Sequence, residues 1–134
     1  MNRIAVLLPV YKKDNPGFLK KTIQSLLNQS YPSFTIFLGV DGPIEGELNE
    51  VVKECEEKDI FYVLRFRENR GLACVLNDLL TASINKGYEF FARMDADDIC
   101  LKDRFAKQMA FLQSHPDVDV VGGCIEEIDE NGEK

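Results

Sequence analysis

The sequence predicts an α/β domain, a mostly parallel sheet flanked by helices. Three observations lead there. Five short apolar runs alternate with four segments whose apolar residues recur at helical spacing. The first run is apolar without a break, as in a strand buried on both faces. The loops that follow the runs are polar, aromatic or glycine-containing, while the runs themselves are not. Alternation of this kind builds a parallel sheet through right-handed crossovers.

Each element has its own warrant. Ile4-Ala5-Val6-Leu7-Leu8 is the first strand, and Pro9 is expected to end it. Asp14 or Asn15 can cap the first helix, with Pro16 in its first turn and Leu19, Ile23, Leu26 and Leu27 on one face. Phe34 to Val40 is the second strand, closed by Asp41-Gly42-Pro43. Leu48, Val51, Val52 and Cys55 mark the second helix, and Ile60 to Phe66 the third strand. After the polar loop Arg67-Glu68-Asn69-Arg70-Gly71, Leu72, Leu76, Leu79 and Leu80 mark a third helix that Gly87 stops. Tyr88-Glu89-Phe90-Phe91-Ala92 is read as a buried fourth strand, Phe105, Met109 and Leu112 as a fourth helix, and Val118 to Ile125 as a fifth strand. Asn131-Gly132 is a hairpin signal, so a returning strand is expected beyond Lys134 and the chain looks truncated.

Composition narrows the function. At 134 residues the chain suffices for one domain with a real core. A net charge of −7 argues against a nucleic-acid surface. No stretch approaches the ~18 apolar residues of a membrane span, and no signal peptide is recognisable. The four cysteines, Cys55, Cys74, Cys100 and Cys124, form no C-x-x-C pair and are read as reduced and cytosolic. His115, the only histidine, precedes Pro116 and is read as a helix C-terminal residue.

The stretch Arg93-Met94-Asp95-Ala96-Asp97-Asp98 places three carboxylates within four residues. In an extended segment Asp95 and Asp97 share a face, with α-carbons about 6.6 Å apart, and Asp98 points elsewhere. Like charges this close repel unless a cation lies between them. Mg²⁺ or Mn²⁺ takes such oxygen ligands and fills its shell with phosphates and water. The alternative is an acidic, solvated loop that caps the next helix.

In open α/β sheets ligands bind beyond the C-terminal ends of the strands. Those ends carry Pro9-Val10-Tyr11, Asp41-Gly42, Asn69-Arg70-Gly71 and Asp95-Ala96-Asp97. Tyr11 can lie against a flat base. Asp41 either accepts hydrogen bonds from a base or makes the turn. Arg70 either meets a phosphate or base or is a solvent-exposed arginine.

Pro9-Val10-Tyr11, Val40-Asp41-Gly42, Glu68-Asn69-Arg70-Gly71-Leu72, Asn77 and Met94-Asp95-Ala96-Asp97-Asp98 occur in the order and spacing of family 2 glycosyltransferases, which the chain resembles over nearly its whole length. The resemblance implies a GT-A, Rossmann-like fold and a donor-binding part of an inverting enzyme that uses a nucleotide diphosphate sugar, a UDP-sugar first. It implies that Pro9, Tyr11, Asp41, Arg70, Asp95 and Ala96 bind the nucleotide-sugar, with Asp95 at the ribose, and that Asp97 binds Mn²⁺ or Mg²⁺ on the diphosphate. Val40-Asp41-Gly42-Pro43 departs from the family, which often has two acidic residues there. The general base is expected beyond Lys134. Bacterial members often build O-antigen or capsule on glycan or lipid-linked acceptors, which implies a cytoplasmic enzyme at the inner membrane face. Oligomeric state is not implied.

Two rivals fit less well. A phosphoacceptor receiver domain needs an acidic pair after strand one, where this chain has Tyr11-Lys12-Lys13. A dinucleotide oxidoreductase needs G-x-G-x-x-G there. A metal-dependent nucleotidyltransferase, or a nucleotide-binding module without turnover, shares the metal and phosphate logic.

Overall fold

The computed structural model of this chain describes residues 2–122. Four strands alternate with four helices: β1 (Ile4–Val10), α1 (Pro16–Leu27), β2 (Phe34–Val40), α2 (Gly46–Glu56), β3 (Phe61–Arg65), α3 (Leu72–Asn85), β4 (Phe90–Arg93) and α4 (Arg104–Ser114). The sheet is parallel, in the order β3-β2-β1-β4. The strand order reverses at β1, between β2 on one side and β4 on the other. That reversal opens a crevice at the C-terminal ends of β1 and β4.

Side-chain alternation explains the layers. Successive residues of a strand face opposite sides. Ile4, Val6, Leu8 and Val10 of β1 join Ile36, Leu38 and Val40 of β2 in a core with Leu19, Ile23 and Leu26 of α1, all four apolar positions of α2, and Phe105 and Met109 of α4. Ala5, Leu7 and Phe37 face the other way, onto Val75 and Leu79 of α3. Both faces of the central strands are therefore covered, as an unbroken apolar run requires. At Gly39 an added Cβ would lie 2.7 Å from Val75 Cγ1, so the missing side chain is what lets α3 rest against β2.

Most elements fall where the sequence places them, and five expectations need correction. Pro9 does not end β1. The Leu7 carbonyl accepts from Met94 N–H on the β4 side, and the Val10 carbonyl from Asp41 N–H on the β2 side. Pro9 therefore turns its missing N–H toward β4, whose ladder has already ended opposite Leu7, and no ladder bond is lost. The Tyr88–Ala92 run is not a strand buried on both faces. Among the described residues β4 pairs with β1 alone, and Phe91 is 39% exposed.

Of the leucines expected to anchor α3, Leu79 is fully buried and Leu76 and Leu80 pack partly buried beside it, but Leu72 is not an anchor. Val75, Leu79 and Ser83 are its buried residues, while Leu72 is exposed. Residues 118–122 are not a strand, and Val120 is 85% exposed. The rest of that expected strand, Cys124 and the Asn131-Gly132 turn lie outside the described residues. Finally, the acidic segment is not extended. Asp98 N–H donates to the Asp95 carbonyl at 3.1 Å, which folds residues 95–98 into a turn.

Two termini behave as expected. Asn15 Oδ1 accepts from Phe18 N–H at 3.1 Å and caps α1. His115 closes α4, its ring stacked on Phe111 and its Nδ1 2.9 Å from the Phe111 carbonyl oxygen.

Candidate functional site

A cleft of about 500 Å³ opens at the reversal of the sheet. The end of β1 gives it Pro9, Val10 and Tyr11, and the turn after β4 gives it Asp95, Ala96 and Asp97. Asp41 from the end of β2 and Asn69, Gly71, Leu72 and Val75 from the start of α3 line the other side. Asp14 and Arg93 complete it. The cleft is therefore built from strand ends and the loops that leave them, on a sheet whose body is apolar.

Asp41 organises one wall. Its carboxylate is buried, and both oxygens are engaged: Oδ1 accepts from Arg70 N–H at 2.7 Å and Oδ2 from Gly71 N–H at 3.0 Å. Gly71 is the N-cap of α3 and offers no side chain to cap it. Asp41 supplies that function from another strand, with its negative charge at the positive end of the helix. Asn69 Nδ2 donates back to the Asp41 carbonyl at 3.3 Å. Gly42 makes room for this contact. Its φ is +89°, and a Cβ there would lie 2.8 Å from the Asn69 nitrogen.

The opposite wall is acidic. Asp14, whose Oδ2 accepts from Tyr11 N–H at 2.9 Å, shares the cleft with Asp95 and Asp97. Burial pushes the Asp14 carboxyl above its ordinary value, the Tyr11 amide partly offsets this, and the charges of Asp97 and Asp95 raise it further. Asp98 is also raised, by burial first and then by Asp95 and Asp97. It does not line the cleft. One cation faces this group within the cleft: an Arg93 guanidinium nitrogen lies 3.6 Å from Asp95 Oδ1. Among the described residues no three metal-ligating side chains converge on one point.

The structure thus brings six of the seven residues expected from sequence to one cleft: Pro9, Tyr11, Asp41, Asp95, Ala96 and Asp97. Arg70 is the exception. Its backbone serves Asp41, but its guanidinium pairs with Asp78 at 2.7 Å and lies 5.2 Å from the centre of the Phe66 ring. It is absent from the lining of the cleft. Sequence reasoning missed Asp14 and Arg93. Asp14 was weighed only as a helix cap. The signal was its position three residues after Tyr11, where a loop must turn back over the strand end.

Known proteins share the sequence pattern and the fold of this chain. A family model for glycosyl transferase family 2 matches residues 5–134. A glycosyltransferase from Haemophilus influenzae is 39% identical over 129 residues, spanning 96% of this chain and 47% of that protein. The amylovoran biosynthesis glycosyltransferase AmsE of Erwinia amylovora is 34% identical over 130 residues, spanning 97% and 48%. The chain thus spans about half the length of these relatives. Among solved structures, S. aureus TarS 1–349 in complex with UDP-GlcNAc superposes with a TM-score of 0.72 at 22% identity, over 85% of this chain and 32% of that one. That likeness shows the GT-A fold. The chain belongs to glycosyl transferase family 2.

Proposed function

We propose that the cleft binds the donor of an inverting glycosyl transfer, a nucleotide diphosphate sugar with UDP as its nucleotide, together with Mn²⁺ or Mg²⁺. One observation carries this reading: three carboxylates, Asp14, Asp95 and Asp97, line one cleft at the reversal of the sheet, and the charges of Asp95 and Asp97 add to burial in raising the carboxyls of Asp14, within the cleft, and Asp98, beside it. A cation relieves that repulsion. Carboxylate oxygens suit Mn²⁺ or Mg²⁺, and one or two of them suffice when phosphates and water complete the shell. Asp97, exposed in the turn, is the ligand of the metal.

The chain's own residues then divide the donor among them. Tyr11, 41% exposed at the mouth of the cleft, lies against the base. Asp41 keeps lone pairs beyond its two amide bonds and accepts from a base N–H. Asp95 receives the ribose hydroxyls, and Ala96, buried beneath the turn, lets the donor approach the backbone. Pro9 shapes the floor. Arg70 reaches the donor only by leaving Asp78. Held by Asp97, such a metal would supply positive charge for the leaving diphosphate. A base elsewhere in the full enzyme removes the acceptor proton for in-line attack on the anomeric carbon.

The name of AmsE supports a role in polysaccharide synthesis, and that of an Escherichia coli galactosyltransferase that acts on a GlcNAc-diphosphoundecaprenol supports a glycan or lipid-linked acceptor; the same proposal puts the work on the cytoplasmic side of the membrane. No helix among the described residues is long and apolar enough to cross a membrane. A second reading is favoured by the share of the relatives that the chain spans: it binds donor and metal without turnover by itself.

The test is thermal stability with UDP, GDP, dTDP and CDP, with and without Mn²⁺. A ligand at about 100 times its dissociation constant adds about 2.7 kcal/mol. The expected result is a Mn²⁺-dependent shift with UDP that Asp97→Ala abolishes. No shift with any nucleotide overturns the reading. A UDP-sugar consumed when an acceptor is present separates the enzyme from the binding module.

A further inference from the structure

The acidic turn is held from behind by one face of α1. Residues 98–102 have no regular secondary structure, so their backbone groups have no place in a ladder or a helix. Side chains of α1 and the residues just after it bond to them instead. Thr22 Oγ1 donates to the Asp98 carbonyl at 2.7 Å. Ser25 Oγ accepts from Cys100 N–H at 2.9 Å. Gln29 Nε2 donates to the Leu101 carbonyl at 2.7 Å, and its Oε1 accepts from Phe105 N–H at 3.1 Å. Ser30 N–H donates to the Lys102 carbonyl at 2.9 Å.

Thr22 and Ser25 lie a turn apart on one face of α1, and Gln29 follows just past the end of that helix. Thr22 is fully buried and Gln29 nearly so, beside the apolar residues Leu19, Ile23, Leu26 and Phe105 of the core. On its other side the turn hangs from β1, through Met94 N–H and the Leu7 carbonyl. The same helix begins right after Tyr11 and Asp14, the cleft residues on the opposite side of the acidic group. The placement of Asp14 relative to Asp97 is therefore set by α1 as a rigid piece, through the Thr22 bond at the turn.

We propose that Thr22, supported by Ser25 and Gln29, is a positioning residue for the acidic turn, and that metal-linked nucleotide binding depends on its hydroxyl. The inference rests on the donor-site reading above. Groups behind a metal ligand act by orienting it, and their loss typically weakens metal affinity about 10–100-fold.

The experiment compares wild type, Thr22→Val and Thr22→Ser. Two quantities are read: the affinity for UDP with and without Mn²⁺, by calorimetry well below the melting temperature, and amide hydrogen exchange along the chain. Thr22→Val keeps the shape and removes the donor. It is expected to weaken Mn²⁺-linked UDP binding by about tenfold or more, to leave metal-free UDP binding unchanged, and to speed exchange in residues 95–101 only. Thr22→Ser is expected to restore both readouts. Unchanged Mn²⁺-linked affinity in Thr22→Val overturns the proposal. So does an equal loss with and without metal, or a failure of serine to rescue. If Thr22→Val does not fold, Ser25→Ala, which frees Cys100 N–H at a half-buried position, is put to the same readouts. Wild type without any Mn²⁺-linked UDP binding overturns the donor-site reading and this proposal with it. Wild type that binds beside a Thr22→Val that binds equally well overturns the proposal alone.

Discussion

The carboxylate of Asp41 takes the backbone N–H of Gly71 at 3.0 Å, across 30 residues of sequence, and so caps a helix that begins on a glycine. Its other oxygen takes the Arg70 N–H at 2.7 Å. The loop after β3 is thereby fixed against the end of β2, and one wall of the cleft exists because of it. Hydrogen bonds to a charged acceptor contribute about 1.5–3 kcal/mol each in mutational series. Asp41→Ala is expected to lower stability by about 2–3 kcal/mol, since the freed amides regain some water. Asp41→Asn keeps one acceptor oxygen and is expected to lose less. Urea denaturation measures both, and equal stability of Asp41→Ala and wild type would remove Asp41 from its structural role.

The two glycines of that wall make different demands. Gly71 has φ of +93° with open space around it, whereas Gly42 combines φ of +89° with the Asn69 backbone 2.8 Å from where a Cβ would be. Left-handed backbone costs a side-chain-bearing residue about 1–2 kcal/mol. Gly71→Ala is expected to lose about that amount. Gly42→Ala is expected to lose more, because backbone cannot move aside as a side-chain tip does. Denaturant midpoints of the two variants decide it, and the reverse order would mean that the loop relaxes freely around residue 42.

Arg70 illustrates where sequence reasoning stops. Its place at a strand end made phosphate contact and plain exposure equal readings. The structure shows an exposed pair with Asp78, and exposed pairs are weak. Arg70→Ala is expected to change stability by under about 1 kcal/mol and to leave Mn²⁺-linked UDP affinity as it is. A large affinity loss would show that Arg70 swings into the cleft when donor binds.

The apolar periodicities fixed α1, β2 and α2 closely because hydrophobic spacing reports burial directly. On α3 they found Leu79 but missed Val75 and overrated Leu72, since the leucines are more numerous than the fully buried positions and Gly39 on the facing strand admits the ridge of Val75 and Leu79. They stopped β1 too early, at Pro9, because whether a proline breaks a ladder depends on which neighbour its missing N–H faces. The carboxylates of the site were legible as residue types at strand ends. Their true conformation was not: the turn at Asp95–Asp98 and the segment that follows it are bonded by Thr22, Ser25 and Gln29, through contacts that span 72 to 76 residues of sequence. Asp14 escaped for a similar reason. A lone carboxylate near a helix start reads first as a cap, and Asn15 took that role instead.

The cysteines offer a probe of the core that does not involve the site. Cys74 is exposed, whereas Cys55 and Cys100 are buried among apolar side chains. Burial pushes the Cys55 thiol from 9.0 up to about 11, and Cys100 moves in the same direction for the same reason. Thiolate is the reactive form. Iodoacetamide at pH 8 is therefore expected to modify Cys74 rapidly and Cys55 and Cys100 only through unfolding, as peptide mapping of the labelled chain will show.

The same shift has a consequence for alkaline stability. Below pH 9 the Cys55 thiol is protonated in both states and contributes no pH dependence. Between pH 9 and about 11 the unfolded chain has released this proton while the folded chain still binds it. The unfolded state then holds fewer protons, so stability falls as pH rises. Two pH units at about 1.36 kcal/mol each set an upper bound of about 2.7 kcal/mol. Cys55→Ala removes that titration, so its stability is expected to fall less steeply than that of wild type over the same window. Parallel stability curves for the two proteins would show that Cys55 ionises in the native state as readily as in the unfolded chain, and would contradict its close packing between α2 and the sheet.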